Sequence, residues 1–131
     1  MILSDTSFII ATIRAADRNH LRCCAVLATL RNPFLTTWPC ITEAMHLLGP
    51  TGQKTLCDQI EQGILLLHVS SQRHAERACT LMRIYADAPM DFADASLVIA
   101  AEDLNITRIL TLDGHFYAYR IHGKTPFEVL P

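Results

Sequence analysis

The chain has 131 residues, 50% of them hydrophobic, which predicts one globular domain over residues 1–131 and excludes a disordered protein. Its formal net charge of -2 argues against nonspecific binding to polyanions. Because no apolar run reaches the roughly 20 residues of a membrane-spanning helix, and no basic segment followed by an apolar stretch opens the chain, we expect a cytoplasmic protein.

The cysteines predict free thiols rather than disulfides or a zinc site. Their number is odd, and they form neither a CxxC pair nor a Cys/His cluster with zinc-ligand spacing. We therefore expect buried thiols in a reducing compartment. The five residues are Cys23, Cys24, Cys40, Cys57 and Cys79.

The chain opens with a predicted strand at Ile2 and Leu3, which the polar residues 4–7 end. We expect this strand to be central in its sheet, because nothing that precedes it could cover an exposed edge. A helix is predicted to begin near Ser7 and to continue or restart at Asp17.

Three arginines recur at intervals of four residues in this helical region, at Arg14, Arg18 and Arg22. On one helix, that spacing would align three guanidinium groups along a single side. The row is then either a solvated helix face or a track that binds phosphates.

The middle of the chain predicts a series of short elements. Asn32-Pro33 is expected to end the first helical region, residues 34–38 are extended, and a helix begins at Ile41 or Thr42 and ends at Leu48. Glu43 then lies in the first turn of that helix, where a lone carboxylate usually complements the helix dipole. Further elements are a helix at 53–62, a strand at 64–69 and a helix at 70–86.

The histidines of these segments do not indicate a metal site. None has a partner at the spacing that metal ligands commonly show. We predict that they lie on the surface or are hydrogen-bonded in the core. They are His20, His46, His68 and His74.

Residues 89–113, PMDFADASLVIAAEDLNITRILTLD, predict a helix, a turn at Asn105 and a short apolar strand at 108–112. The helix has a nearly continuous apolar face and is expected to be buried, yet Asp91 and Asp94 share its first turn and one of its sides. Asp113 directly follows the strand. This segment therefore holds carboxylates at the edge of a core.

The last segment, residues 114–131, is rich in loop residues and ends in a predicted strand at 127–130. Aromatic and cationic side chains are interleaved in it beside Asp113, an arrangement that suits a nucleic-acid strand, whose bases stack and whose phosphates need cations. Ordinary loop composition explains them almost as well. These side chains are His115, Tyr117, Tyr119, Arg120, His122 and Lys124.

The order of the elements predicts an α/β fold with a mostly parallel sheet covered by helices on both faces. Functional residues of such sheets lie beyond the carboxyl ends of the strands. Asp5 and Asp113 each follow a strand, and Glu43 and Asp94 each open a helix. The four carboxylates could therefore converge at one edge of the sheet.

Converging carboxylates need protons or a cation. Two carboxylates about 4 Å apart repel by roughly 1 kcal/mol in water and by about 4 kcal/mol at an effective dielectric constant of about 20. With only oxygen ligands available, a hard ion such as Mg2+ or Mn2+ fits better than zinc. One or two such ions could activate water and neutralise charge on a phosphodiester.

At these acids the sequence resembles the PIN-domain ribonucleases, in particular the VapC-like toxins of type II toxin-antitoxin systems. The resemblance is carried by LSDTSFII, TEAMHLL, MDFADASLVIAAEDLNITRILTLDGHF and FEVLP, which together span almost the whole chain. It implies a PIN-like three-layer sandwich and an acidic site in which Asp5 and Asp94 are direct metal ligands. The implied site acids are Asp5, Glu43, Asp94 and Asp113.

The resemblance also implies roles for neighbouring side chains. Thr111 and the hydroxyls of Thr6 and Ser7 would position the acids or their waters. Asp91 matches a subgroup that carries an extra acid one turn before the third motif acid, or else it is a helix N-cap.

The implied function is metal-dependent cleavage of RNA, with tRNA or another RNA of translation as the substrate and Mg2+ or Mn2+ as the cofactor. A homodimer and an antitoxin protein that blocks the acidic pocket are implied as well. Candidate RNA contacts are Arg14, Arg18, Arg120 and Lys124.

Three alternatives compete with this interpretation. A haloacid-dehalogenase-type phosphatase needs a second aspartate two residues after the first, where this chain has Ser7. A receiver-like phosphoacceptor needs a paired acid beside Asp5 and a late lysine, and only Lys54 and Lys124 are available. The most serious rival is a PIN fold that binds RNA or protein with weak or no cleavage, which the intact acids disfavour.

Overall fold

The computed structural model describes residues 1–31 and 33–131. Asn32, the first residue of the predicted break Asn32-Pro33, lies outside the described residues. The strands within them are β1 (Leu3–Ser4), β2 (Phe34–Thr36), β3 (Leu65–Leu67), β4 (Arg108–Leu110), β5 (Arg120–Ile121), β6 (Thr125–Pro126) and β7 (Glu128–Leu130). The helices are α1 (Thr6–Ile13), α2 (His20–Leu27), α3 (Trp38–Glu61), α4 (Gln72–Ile84) and α5 (Phe92–Leu104), and a 3-10 helix spans Gly114–Tyr117.

The main sheet has the strand order β3-β2-β1-β4-β7, and every pairing in it is parallel. β1 lies at its centre, where Leu3 pairs with Leu35 on one side and with Ile109 on the other. The predicted central position of the first strand is therefore confirmed. β5 and β6 form a separate antiparallel pair.

Helices cover both faces of the main sheet. One core cluster joins Leu81 of α4 and Leu97 of α5 to Ile109 of β4. The other joins Phe8 of α1 and side chains of α3 to Leu110, the next residue of β4. Successive side chains of a strand point to opposite faces, so β4 contributes to both cores. The predicted α/β three-layer sandwich is confirmed.

The buried helix predicted before Asn105 is α5. Leu97 and Val98 are fully buried within it, and Asn105 ends it in the left-handed conformation with φ 53°. Asparagine tolerates this conformation better than most residues, which explains why the turn falls there. Asp91 and Asp94 therefore sit at the start of a helix that the core holds firmly.

α3 spans both helices predicted at 41–48 and 53–62, with the non-helical residue Gly49 between its two segments. It begins earlier, at Trp38, because Pro39 occupies its first turn, where a missing backbone N–H costs no hydrogen bond. Gly49, with φ 72°, introduces a kink where the predicted break lies. Glu43 consequently lies beyond the first turn, and its predicted first-turn position is wrong.

The predicted row of three arginines is also wrong. α1 ends at Ile13, Arg14 has an extended backbone with φ -88° and ψ 106°, and α2 begins only at His20. Arg14, Arg18 and Arg22 therefore do not share one helix side. The spacing of four residues was compatible with a helix, but the chain turns between the first and second arginines.

All five cysteines are free thiols, as predicted. Burial is confirmed for Cys23 and Cys40, whereas Cys57 and Cys79 are exposed on the surface. Among the described residues, no helix is long and apolar enough to span a membrane.

Candidate active site

The structure brings the four predicted site acids together in one open cleft of about 430 Å³. Asp5 follows β1 and Asp113 follows β4, two neighbouring parallel strands, while Asp94 opens α5 and Glu43 extends from α3. Asp91 and Asp17 line the same cleft. The convergence follows from the parallel sheet, which places the ends of adjacent strands at one edge.

Asp5 is the most buried of these acids, with 6% of its surface exposed. It is the N-cap of α1, where its Oδ1 accepts a hydrogen bond from the backbone N–H of Thr6 at 2.7 Å. Its Oδ2 accepts from the hydroxyls of Thr111 at 2.7 Å and Ser7 at 3.2 Å. Burial nevertheless raises the pKa of Asp5 to about 6, with a smaller contribution from the charge of Asp113.

The Thr111 hydroxyl links two of the acids. It donates to Asp5 and accepts from the backbone N–H of Asp113 at 2.9 Å. Ser7 makes a parallel connection, because its hydroxyl also accepts from the backbone N–H of Leu112 at 3.0 Å. These bonds fix the loop after β4 relative to the loop after β1.

Thr6 differs from the expectation for its hydroxyl. Its backbone N–H contacts Asp5, but its side-chain hydroxyl donates to the carbonyl oxygen of Cys40 at 3.3 Å. The hydroxyl thus attaches α1 to α3 rather than orienting an acid.

Asp91 and Asp94 cap α5 reciprocally. Asp91 is the N-cap and accepts from the backbone N–H of Asp94 at 2.7 Å, while the carboxylate of Asp94 accepts from the backbone N–H of Asp91 at 3.1 Å. Asp91 is therefore a helix cap that also lines the cleft. Desolvation raises the pKa of Asp94 to about 7, and the charges of Asp91, Asp5 and Asp113 add to this effect.

Asp113 is held by a neighbour that sequence reasoning did not assign to the site. One of its oxygens accepts from the backbone N–H of His115 at 2.9 Å and lies 2.7 Å from His115 Nδ1. The sequence did offer one indication of this contact, because His115 lies only two residues after Asp113. Asp17 was missed for a different reason, since it reaches the cleft only through the fold of the α1–α2 connection.

The predicted RNA contacts are distributed unevenly. Arg14 lines the cleft, and its guanidinium donates to the backbone carbonyl of Leu47. Arg120 instead donates to the carbonyl oxygens of Tyr117 and Tyr119, at 2.8 and 2.9 Å. Arg18, Arg120 and Lys124 are not part of the cleft lining.

The donor set of the cleft suits a hard cation. Within the described ranges, no lysine or arginine lies within 4.0 Å of Asp5, Glu43, Asp94 or Asp113, and the basic group at that distance is the imidazole of His115 beside Asp113. No three ligand oxygens of the cleft lie within 4.8 Å of one another among those residues. Carboxylates spread in this way could hold a hard divalent ion only together with waters.

Comparison with known proteins gives a consistent result. No family model matches the sequence. The chain is 25% identical over 135 residues to ribonuclease VapC26 of Mycobacterium tuberculosis (strain ATCC 25618 / H37Rv), a match that covers 99% of this chain and all of that protein.

Solved structures share the fold. The crystal structure of Mycobacterium tuberculosis VapC20, described as a toxin that cleaves the sarcin-ricin loop, matches with a TM-score of 0.85 and 20% identity, over 96% of this chain and 100% of that one. A toxin-antitoxin complex from Klebsiella pneumoniae matches with a TM-score of 0.63 and 18% identity, over 86% and 87% of the two chains.

Proposed function

We propose that this chain, a VapC-like protein of the PIN-domain family, is a metal-dependent endoribonuclease that acts as the toxin of a toxin-antitoxin pair. The observation that carries the proposal is the convergence of Asp5, Glu43, Asp94 and Asp113 on one cleft without a compensating lysine or arginine in the described chain. The similarity to ribonuclease VapC26 supplies the reaction class.

Asp5 and Asp94 are the proposed direct ligands of Mg2+ or Mn2+. Both belong to helix starts, where the helix dipole favours negative charge, and both are held by hydrogen bonds from the backbone. Their pKa values are raised because burial disfavours the charged carboxylates, and a bound divalent ion would stabilise that charged form. When bound, the ion would supply an activated water and neutralise charge on the phosphodiester.

Glu43, on α3, and Asp113, which follows β4, complete the proposed site. Glu43 is exposed and can accept hydrogen bonds from waters, while Asp113 is fixed by His115 and, through its backbone, by Thr111. Their role is to orient an attacking water and to keep the cleft negative enough to retain a cation.

The proposed substrate is a structured RNA of translation, such as tRNA. VapC20, which shares the fold, is described as cleaving the sarcin-ricin loop. Of 13 acidic residues, the four proposed site acids leave nine against 11 basic ones, so the remaining surface is mildly basic. Arg14, at the cleft itself, is the best placed of the predicted phosphate contacts.

A separate antitoxin protein is the proposed partner, and a homodimer is the proposed assembly. The fold match to a toxin-antitoxin complex from Klebsiella pneumoniae supports an antitoxin. We infer that the antitoxin blocks the acidic cleft.

Cleavage assays test the proposal directly. The purified protein should cut RNA in the presence of Mg2+ or Mn2+ and stop when EDTA is added. Asp94→Asn should lower the rate by on the order of a hundredfold or more, because it removes a proposed metal ligand. Asp58→Asn, an exposed acid outside the cleft, is the matched control and should cleave like the unmodified protein.

Activity that survives chelation would refute the metal mechanism. RNA binding measured by calorimetry without any turnover would instead favour the rival function, a PIN-fold module that binds RNA or protein.

A further inference from the structure

Two histidines and an aspartate from three different elements meet at the far end of α5 from the acidic cleft. His68 follows β3, His74 lies in the first turn of α4, and Asp103 lies in the last turn of α5. Nine residues separate Asp94 from Asp103, which corresponds to roughly 14 Å along a helix. His68 is hydrogen-bonded in the core, as predicted, and the spacing of the histidines along the chain did not reveal that Asp103 lies beside His68 and His74.

The three side chains point toward a common space. Nε2 of His68 lies 2.7 Å from Oδ2 of Asp103, and Nε2 of His74 lies 3.7 Å from the same oxygen. One ligand atom from each residue lies within 4.8 Å of the other two. The ligand atoms of a tetrahedral metal ion are about 3.3 to 3.6 Å apart, given metal-ligand distances near 2.0 to 2.2 Å, so small side-chain shifts would accommodate an ion.

His68 is prepared for this role by its surroundings. The residue is only 3% exposed, and its backbone N–H donates to Thr36 at 2.9 Å. Its Nδ1 lies 3.2 Å from the Ser70 hydroxyl. Histidines that bind metals commonly donate their other ring N–H to a neighbouring oxygen, which fixes the tautomer and aims the free nitrogen.

His74 is held by the capping box of α4, in which its Nδ1 accepts a hydrogen bond from the backbone N–H of Ser71 at 3.0 Å and lies 3.3 Å from the Ser71 hydroxyl. Without a metal, the ring proton is therefore on Nε2. Binding of a metal at Nε2 would move that proton to Nδ1 and replace this capping bond by one that the Ser71 hydroxyl accepts. Asp103 supplies the third ligand atom, an oxygen of its carboxylate.

We propose that His68, His74 and Asp103 form a second metal site, which takes a divalent transition-metal ion, best Zn2+. Two imidazole nitrogens and one carboxylate oxygen match the donor set of zinc, whereas the acidic cleft offers oxygen alone. His74 and Asp103 are partly exposed, at 27% and 42% of their side chains, so water completes the coordination. The site ties the β3–α4 junction to the end of α5 and does not depend on the proposed nuclease activity.

Titration with Zn2+ alone tests this site. The Asp94→Asn protein, in which binding at the acidic cleft is weakened, should bind about one Zn2+ per chain in calorimetry. Adding His74→Gln or Asp103→Asn should weaken that binding by roughly tenfold or more. Glutamine can keep the capping box at position 74, and asparagine keeps the shape at 103, so both variants should fold.

The matched control is His122→Asn, since His122 is exposed outside the cluster and has φ 53°, which asparagine tolerates. Its Zn2+ affinity should be unchanged. Substituting Co2+ should give the visible absorption of a low-coordinate site in the parent and not in the two ligand variants. The proposal is overturned if Zn2+ does not bind, if both ligand variants bind it as tightly as the parent, or if His122→Asn weakens binding equally.

Discussion

At the residue scale, Asp5 is a buried carboxylate, and burial disfavours its charged form. Three donors support its carboxylate, yet its pKa is still raised to about 6. A structural N-cap would be as well served by asparagine, which is neutral. The carboxylate is therefore more than the cap requires, which fits the cation site proposed above.

The Thr111 hydroxyl gives the first prediction at this scale. Thr111→Val keeps the shape of the side chain but removes the bonds to Asp5 and to the Asp113 backbone. We expect a loss of about 1 to 3 kcal/mol in the free energy of unfolding, because buried polar groups lose their partner. RNA cleavage should also fall, since Asp5 is no longer oriented. Denaturant unfolding and cleavage rates measure the two effects.

Thr55→Val on the exposed side of α3 is the control for Thr111→Val, and it should change neither quantity appreciably. Thr111→Ser should recover most of the cleavage rate. Full activity in Thr111→Val would show that this hydroxyl does not organise the site.

The raised pKa values predict a pH dependence of stability. The folded pKa of Asp5, about 6, and that of Asp94, about 7, both lie above the ordinary value of 3.8. The folded state therefore binds these protons more tightly than the unfolded state, and their contribution to stability is present at low pH and lost as the pH rises from 3.8 to about 7. Thermal unfolding in EDTA across this range measures the effect.

Asp5→Asn isolates the contribution of one group. The metal-free variant should be at least as stable as the unmodified protein at neutral pH, and its stability should depend less on pH over the same window. Asp58→Asn should leave the profile unchanged. Identical pH profiles for Asp5→Asn and the unmodified protein would contradict the assigned cause.

At the element scale, the kink in α3 separates the segment that presents Glu43 from the segment that packs under β3. Gly49 adopts φ 72° at this kink, a region that side chains other than glycine rarely occupy. The helix thus changes direction at a residue whose backbone permits it.

Gly49→Ala should destabilise the protein by about 1 to 3 kcal/mol, because alanine is strained at the backbone angles of φ 72° and ψ 178° that Gly49 adopts. No atom lies within 4 Å of an added Cβ at Gly49, so the cost is one of backbone conformation alone. Gly114→Ala is a matched control, since its Cβ also meets nothing within 4 Å and it has no positive φ. Equal stability of the two variants in denaturant unfolding would contradict this explanation.

At the scale of the whole molecule, acids that are far apart in sequence are held together by the parallel sheet. β1 and β4 pair directly, so Asp5 and Asp113 emerge at one edge, and the core holds α5 against that sheet. Binding of a divalent ion to this site should therefore stabilise the entire fold and not only one loop.

Linkage gives the size of this effect. At an ion concentration about 100 times the dissociation constant, Mn2+ should add about 2.7 kcal/mol to the free energy of unfolding. Asp94→Asn should lose most of this increment, whereas Asp58→Asn should retain it. The measurement is thermal unfolding as a function of Mn2+ concentration, and an equal increment in all three proteins would place the ion elsewhere.

The sequence by itself determined the α/β class, the central first strand and the buried helix that ends at Asn105, and it singled out four acids that the structure brings to one cleft. These features depend on local patterns, such as apolar runs, helix starts and the order of elements, which one segment displays without reference to the rest. The resemblance to VapC-like proteins rests on the same local blocks.

Only the tertiary structure decided which side chains meet. Arg14 and Arg18 lost their predicted alignment because the chain turns after Ile13, and Glu43 moved out of the first turn because α3 begins at Trp38. Asp103 joined His68 and His74 from a different helix. Such contacts depend on how elements pack around a shared core, and packing is set by all of the elements together.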